Sequence, residues 1–197
     1  MNFLAHAYLS PSRPPGVLVG NLLADMVKGR ARHALPDDVR AGIALHRHID
    51  GFTDTHLLVA QCGDLLADRW GRYAAVLVDI FFDHCLAANW GRYSPVPLAA
   101  FVRQTYDIAR PFRGLFPQRA QMGFDAMAGD DWLTSYARLE GIELTLQRLS
   151  CRLKHDIELG SAVEDFWRHA ATFHAKFAGF FPQLVASCAA YGAQPVA

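Results

Sequence analysis

The sequence lacks the features of several common protein classes. Its four cysteines form no Cys-x-x-Cys pair, so no thiolate zinc site or dithiol redox motif is indicated. The 19 basic and 19 acidic residues cancel, which gives no indication of a nucleic-acid or membrane surface. The longest apolar run, residues 74–78, is too short to span a membrane, and the first ten residues do not resemble a signal peptide. We therefore expect a cytoplasmic protein with reduced thiols that binds neither nucleic acid nor membranes.

Common catalytic motifs are also absent. The sequence contains no glycine-rich phosphate loop of the G-x-x-x-x-G-K-[ST] or G-x-G-x-x-G type and no G-x-S-x-G nucleophile elbow. Cys85 follows His84, but neighbouring residues on a helix point in different directions, so a Cys–His dyad is not supported. With 197 residues, 52% of them hydrophobic, the chain is long enough for one domain with its own core, which we expect to cover residues 1–197.

Apolar residues recur at helical spacing along most of the chain, and no alternating pattern typical of strands occurs. The predicted helices cover 16–29, a segment starting at Pro36, 72–90, 97–110, a segment from 131 that breaks at Gly141, and 161–187. The sequence therefore predicts an all-α, single compact helical domain of roughly seven to nine helices. The last helix carries an aromatic stripe, for which core packing is the simplest explanation and a groove for a ligand or partner the alternative: Phe166, Trp167, Phe173, Phe177, Phe180 and Phe181.

Polar groups interrupt the apolar helices in three places. In the first, Asn21 and Asp25 are four residues apart and share a helix face. A buried carboxylate needs a partner or a metal, because burying it alone is costly. The alternative is an Asp25 on the solvent face, paired with Lys28 or Arg30.

The second place is residues 42–56, which hold three histidines, an arginine and two aspartates. His46, Asp50 and Asp54 follow one another at intervals of four and would line one helix edge, although Gly51 predicts a kink there. Arg47 has the geometry to hold a phosphate through two hydrogen bonds. The alternative is a set of surface ion pairs with a capped turn.

The third place is the most apolar helix, which contains Asp79, Asp83 and His84. Such groups among apolar neighbours require compensation, either by a cation or by a buried hydrogen-bond network. Carboxylate and imidazole ligands suit Mn, Mg, Fe or a hydrolytic Zn site, which points to a metal-dependent phosphohydrolase. His6, four residues after Asn2, is a further candidate ligand, although a lone histidine on such a face is more often structural.

Four blocks in this order resemble the acyl carrier protein phosphodiesterase family: MNFLAH at 1–6, GNLLAD at 20–25, GIALHRHIDGFTD at 42–54 and LVDIFFDHCLA with a following Trp at 77–90. The resemblance implies a largely helical fold, distantly related to HD-type phosphohydrolases. It also implies hydrolysis of the phosphodiester that joins 4′-phosphopantetheine to a serine of holo acyl carrier protein, with a divalent cation, preferably Mn²⁺.

The resemblance also implies site residues. The essential acid of the family falls on Asp25, the H-R-x-I-D block on His46, Arg47 and Asp50, and the D-H pair on Asp83 and His84. Our hypothesis is that Asp25 and Arg47 are catalytic, and that the cation is held by some or all of Asp25, His46, Asp50, Asp83 and His84. His6, Asn21, Asp54 and Asp79 would orient those ligands. Two departures stand out: His48 replaces an expected second arginine, and the order at 83–84 is Asp-His rather than His-Asp.

Two alternative functions stay open at this point. One is a helical phosphohydrolase of small phosphoesters or nucleotides with the same metal cluster. The other is a non-catalytic module that binds a carrier protein and needs no metal. An acidic carrier would dock on basic residues, and the sequence offers two candidate patches: Arg110, Arg113 and Arg119, or Arg148, Arg152 and Lys154.

Overall fold

Helices make up most of the part of the chain that the computed structural model describes, which is residues 1–27, 29–153 and 157–192. The α-helices are α1 (Phe3–Tyr8), α2 (Pro15–Leu23), α3 (Asp37–Asp54), α4 (Leu57–Trp70), α5 (Ala74–Ala88), α6 (Leu98–Ala109), α7 (Gln118–Gly129), α8 (Trp132–Ser135), α9 (Leu139–Ser150) and α10 (Ala162–Gly192). Short 3-10 turns lie at Ala24–Met26, Gly29–Ala34, Gly71–Tyr73, Trp90–Arg92, Arg110–Leu115 and Leu159–Ser161. Within the described ranges no strand is present, which confirms the predicted all-α class.

The helix count exceeds the seven to nine expected, because ten α-helices form in the described residues. Two of them, α1 and α8, have only six and four residues, and so short a segment shows no helical periodicity in the sequence. The predicted start of α3 is confirmed: Pro36 precedes the helix, and Asp37 and Asp38 occupy its first turn. Acidic residues there interact favourably with the helix dipole.

Two predicted helix features were wrong. The expected kink at Gly51 is absent, and α3 continues to Asp54. The break expected at Gly141 lies instead between α8 and α9, at residues 136–138. Gly141 is inside α9, where a Cβ would lie 2.1 Å from the carbonyl oxygen of Ser135, so this glycine permits a close approach rather than a turn.

The aromatic stripe of α10 packs on α5 and forms much of the core. Phe81 and Phe82 of α5 contact Phe173 with centroid distances of 5.4 and 6.4 Å, in edge-to-face geometry. The other stripe residues are buried as well, except Trp167, which is 73% exposed. Core packing is therefore confirmed for the stripe apart from Trp167. The long α10 bends at His169, whose backbone is not helical.

The backbones of α2 and α3 approach each other unusually closely. A Cβ on Gly20 would lie 2.0 Å from the carbonyl oxygen of Val39, and one on Gly42 would lie 2.1 Å from that of Val17. Both distances are far below contact, so only glycine fits at either position. The N–H of Gly16 also donates to the Asp38 carboxylate at 3.2 Å, which ties the first turns of the two helices together.

The described part of the chain includes no helix that combines the length and apolarity needed to cross a membrane. The four cysteines are free. Cys62, Cys85 and Cys188 are buried, and Cys151 is exposed.

We predict that Gly42→Ala lowers the free energy of unfolding by at least about 2 kcal/mol, because its methyl group would overlap backbone atoms that cannot rotate away. Gly51→Ala is the matched control in the same helix, since nothing lies within 4 Å of its Cβ position. We expect this control to be about 0.5–1 kcal/mol more stable than the parent, because alanine is the better helix former. Urea unfolding of both variants checks the pair, and equal effects would contradict the close packing.

Candidate metal centre

Two helices bring two histidines and an aspartate together. His6 comes from α1, and His46 and Asp50 come from α3, where they are one turn apart. The Nε2 of His6 lies 3.2 Å from one carboxylate oxygen of Asp50, and the Nε2 of His46 lies 3.0 Å from the other. A single carboxylate therefore faces both imidazoles.

The opposite side of each ring is held by Asn21, in the last turn of α2. The Nδ1 of His46 donates to the backbone carbonyl oxygen of Asn21 at 2.7 Å. The Nδ1 of His6 lies 2.8 Å from the side-chain oxygen of Asn21. The two rings stack with their centroids 4.0 Å apart and their planes 18° apart, so both Nε2 atoms point to the same side.

The two Nε2 atoms are buried, and neither has an aligned hydrogen-bond partner, despite their short distances to Asp50. Buried polar atoms are normally satisfied, so such atoms require an explanation. One ligand atom from each of His6, His46 and Asp50 lies within 4.8 Å of the others. Two imidazole nitrogens and a carboxylate form a donor set that suits a divalent transition metal, so the residues present fit the metal that the sequence predicted.

The electrostatics of the cluster also favour a cation. Burial lowers the pKa of His46, but Asp25 and Asp50 outweigh it and raise that pKa to about 9. Burial would raise the pKa of Asp50, yet its contacts with His46 and His6 hold that pKa well below the usual range. The pKa of His6 is lowered, chiefly by burial. Without a metal, a proton on His46 therefore occupies the position between carboxylates that a cation would take, and metal binding must release it.

Asp25 stands at the open side of the cluster. It lies in the 3-10 turn that follows α2, and its carboxylate is 3.4 Å from the Nε2 of His46. Its contact with His46 lowers its pKa. The side chain of Asp25 is 81% exposed and that of Asp50 37%, whereas that of His6 is only 2% exposed. The site therefore runs from a buried nitrogen face to a carboxylate face in contact with solvent.

The structure gives Asp83 a different set of contacts. Its carboxylate accepts hydrogen bonds from the backbone N–H groups of Leu4 at 2.7 Å and Ala5 at 3.2 Å, which satisfies the amino end of α1. Burial raises the pKa of Asp83 to about 7, although the hydrogen bonds from these two N–H groups lower it. Compensation for this buried acid thus comes from a helix end, and Asp83 supports the helix that carries His6.

His84 is also separate from the cluster. Its Nδ1 donates to the backbone carbonyl oxygen of Tyr136 at 2.8 Å, and its ring packs edge-on against Phe166. Metal binding by Asp83 and His84 stays a prediction that these contacts do not support.

The remaining predicted residues surround the cluster without joining it. Asp79 lies 2.8 Å from the amino group of Met1, which is 3.9 Å from Asp50. Asp54 is exposed at the end of α3, and burial raises its pKa modestly. Arg47 is exposed beside His46. Of the partners suggested for Asp25, Lys28 lies outside the described residues, as does the side chain of Arg30.

The sequence matches a known protein family over most of its length. The acyl carrier protein phosphodiesterase family model matches residues 1–184. The chain belongs to this family. It is 34% identical to the acyl carrier protein phosphodiesterase of Photorhabdus laumondii over 94% of this chain and 93% of that protein. It is 32% identical to that of Pectobacterium atrosepticum and 31% identical to that of Yersinia enterocolitica, each over 94% of this chain and 96% of the relative.

Three of the four sequence blocks that resemble the acyl carrier protein phosphodiesterases supply the cluster. The first contributes His6, the second Asn21 and Asp25, and the third His46 and Asp50. The fourth contributes Asp83, which holds α1 in place. No solved structure matches the chain at a significant level, so kinship with HD-type proteins stays a prediction.

The sequence-based hypothesis gave His6 the role of a residue that orients the ligands, whereas the structure places it among the candidate ligands. Ser10 was not identified from the sequence. Ser10 donates to the carbonyl oxygen of His6 at 2.8 Å and accepts from the Asn21 amide at 2.9 Å. The only local signal for His6 was a histidine on a short apolar segment. Nothing in the sequence around Ser10 distinguishes it from an ordinary loop serine.

We predict that the protein binds Mn²⁺ and that Asp50→Asn weakens this affinity more than about 100-fold, beyond the 10–100-fold typical of losing an outer-shell partner. Asp54→Asn is the matched control, because it is one turn further along α3 and outside the cluster. Isothermal titration of both variants measures the effect. Equal affinities in the two variants would show that the cation binds elsewhere.

Proposed function

We propose that this protein removes 4′-phosphopantetheine from holo acyl carrier protein with the aid of a divalent cation, Mn²⁺ being our choice, held by His6, His46 and Asp50. The observation that carries the metal dependence is the convergence of two buried, unpartnered Nε2 atoms on one carboxylate. Membership of the acyl carrier protein phosphodiesterase family and the names of the relatives support the reaction and the substrate.

The proposed reaction is a hydrolysis at phosphorus. The oxygen of water forms a bond to phosphorus, the bond between phosphorus and the serine oxygen of the carrier breaks, and that oxygen takes up a proton. The products are the apo carrier and 4′-phosphopantetheine. A divalent cation in this site would lower the pKa of a bound water molecule. It would also partly neutralise the negative charge on the phosphate oxygens.

The protein groups around the cluster have separate tasks in this proposal. Asp50 and the two histidines hold the cation. Asp25 is ionised, exposed and next to His46, so it can orient the attacking water and accept its proton. We assign Arg47 to the phosphate because it belongs to the H-R-x-I-D block and its long side chain is exposed.

The carrier must dock near Asp25, and the structure favours the first of the two candidate patches. In the 3-10 turn that holds Asp25, the sulfur of Met26 would lie 3.3 Å from a Cβ on Gly123, so α7 packs beside this end of the site. Arg119, one turn before Gly123, is exposed and has no ion-pair partner among the described residues. Met122, next to Gly123, is 63% exposed.

Three other members of the two patches lie close to acidic residues. Arg113 forms a two-pronged ion pair with Asp125 at 2.6 and 2.7 Å. Arg148 pairs with Asp130 at 2.7 Å and lies over the ring of Trp132. Arg110 is 4.0 Å from Asp107, and Lys154 lies outside the described residues. We therefore place the acidic carrier surface on Arg119 and Met122.

The deciding experiment is mass spectrometry of holo acyl carrier protein after incubation with this protein and Mn²⁺, with and without chelator. We expect loss of one 4′-phosphopantetheine that stops with chelator and in Asp25→Ala. Asp64→Ala, an exposed aspartate of α4, is the matched control and should behave like the parent. The high exposure of Asp25 makes loss of folding an unsuitable explanation for its effect.

Two outcomes would overturn the proposal. An unchanged carrier mass with hydrolysis of nucleotides or small phosphodiesters would indicate a small-molecule phosphohydrolase. Carrier binding without any mass loss, equal in the parent and Asp25→Ala, would indicate a non-catalytic carrier-binding module.

We predict that Arg119→Glu raises KM for the holo carrier about 5–10-fold with little change in kcat, and that added salt reduces the difference. Arg152→Glu is the control, because it makes the same change in net charge in the other patch. Steady-state kinetics at low and moderate salt measure both. A raised KM in Arg152→Glu alone would move the docking surface to that patch.

A further inference from the structure

We infer that Asn21 fixes the position of the ring proton on both histidines of the candidate metal centre, with its side chain for His6 and its backbone for His46. This inference rests on the proposed function in so far as that function needs a metal at His6, His46 and Asp50. It assigns Asn21 as a positioning residue, because it acts through the histidines and not on the substrate.

The orientation of the Asn21 amide follows from what surrounds it. Its Nδ2 lies 2.8 Å from the carbonyl oxygen of His6 and 2.9 Å from the hydroxyl oxygen of Ser10. The Ser10 hydroxyl donates its own proton to that same carbonyl at 2.8 Å, so it can only accept from Asn21. Both neighbours are acceptors, and a reversed amide would put oxygen against oxygen. The NH₂ group therefore faces His6 O and Ser10, and the Oδ1 faces the ring of His6.

The proton of neutral His6 is thereby placed on Nδ1. The Oδ1 of Asn21 can only accept, so Nδ1 must donate across the 2.8 Å contact, and Nε2 keeps its lone pair. The competing tautomer would carry its proton on Nε2, where the Asp50 oxygen at 3.2 Å would accept it. That arrangement would block a metal ligand with a hydrogen bond, so Asn21 selects the form of His6 that can bind metal.

Once metal binding has released the proton on Nε2, the remaining proton of His46 is held on Nδ1 by a separate contact. Its Nδ1 faces the backbone carbonyl oxygen of Asn21 at 2.7 Å, and a carbonyl can only accept. A substitution at position 21 removes the contact to His6 and leaves the contact to His46. The second histidine is therefore an internal control in every variant.

The test uses Asn21→Ala and Asn21→Asp, read by two-bond ¹H–¹⁵N correlation spectra of the histidine side chains. The metal-free proteins are measured at about pH 8.5, well above the ordinary pKa of a histidine, so that the ring of His6 is neutral and its tautomer can be observed. We expect Nδ1–H on His6 in the parent, a shift toward Nε2–H in Asn21→Ala, and Nδ1–H again in Asn21→Asp, since a carboxylate still accepts. In the Zn²⁺-loaded proteins, which are diamagnetic, His46 should keep Nδ1–H throughout.

Metal affinity provides the second readout. Titration with Zn²⁺ should show affinity about 10–100-fold weaker in Asn21→Ala, the range typical of losing an outer partner. In Asn21→Asp the second carboxylate oxygen faces the carbonyl oxygen of His6, so this variant is read by its tautomer and not by its affinity. A folded Asn21→Ala protein with unchanged His6 tautomer and unchanged affinity would overturn the inference. So would a folded Asn21→Asp protein with Nε2–H on His6. If the alanine variant does not fold, the aspartate variant decides alone through the tautomer of His6, because only Nδ1–H agrees with the inference.

Failure of this inference and failure of the proposed function give different results. The tautomer and the Zn²⁺ affinity are measured without carrier protein. A parent protein that releases 4′-phosphopantetheine but shows Nε2–H on His6 contradicts only the role of Asn21. A parent with Nδ1–H and tight metal binding but no action on the carrier contradicts only the proposed substrate.

Discussion

The close approach of α2 and α3 is the constraint on which the site depends. Gly20 and Gly42 let the two backbones meet at a distance that any side chain would prevent. Asn21 follows Gly20 in the last turn of α2, where carbonyl groups have no helical N–H partner. The Asn21 carbonyl is therefore free, and α3 presents His46 to it at 2.7 Å. A longer α2 would have used this carbonyl internally.

Asp83 and Asp50 show how surroundings decide the use of a carboxylate. Asp83 is fully buried, and its carboxylate oxygens accept hydrogen bonds from the first N–H groups of α1. Asp50 is partly exposed and directs its oxygens at two ring nitrogens that have no aligned hydrogen bond. The first arrangement is complete and stabilises a helix end, whereas the second lacks a positive charge between its members. The two are linked, because α1 carries His6 into the cluster that Asp50 faces.

The sequence predicted the parts of the site that lie on one helix. His46 and Asp50 are four apart in a segment with a clear helix start, so their meeting follows from helix geometry. Their meeting with His6 could not be read in this way, because it depends on how α1 packs against α2 and α3. Asp83 was correctly expected to need compensation, yet spacing cannot distinguish a cation from the end of another helix. Gly51 misled the prediction because one glycine costs a helix little when the rest of its turn is packed.

The depth of the cluster agrees with a substrate attached to a folded protein. In holo acyl carrier protein the phosphodiester joins the prosthetic group directly to a serine, so the phosphorus lies at the carrier surface and not at the far end of a flexible arm. A deep cavity would admit the arm but keep the phosphorus outside. Here the ring nitrogens of the candidate ligands are buried, while the carboxylates of Asp25 and Asp50 reach solvent. Structural metal sites are closed by four protein ligands, whereas hydrolytic sites keep a position open. Three candidate ligands with their open side at the surface suit a phosphodiester that arrives on a protein.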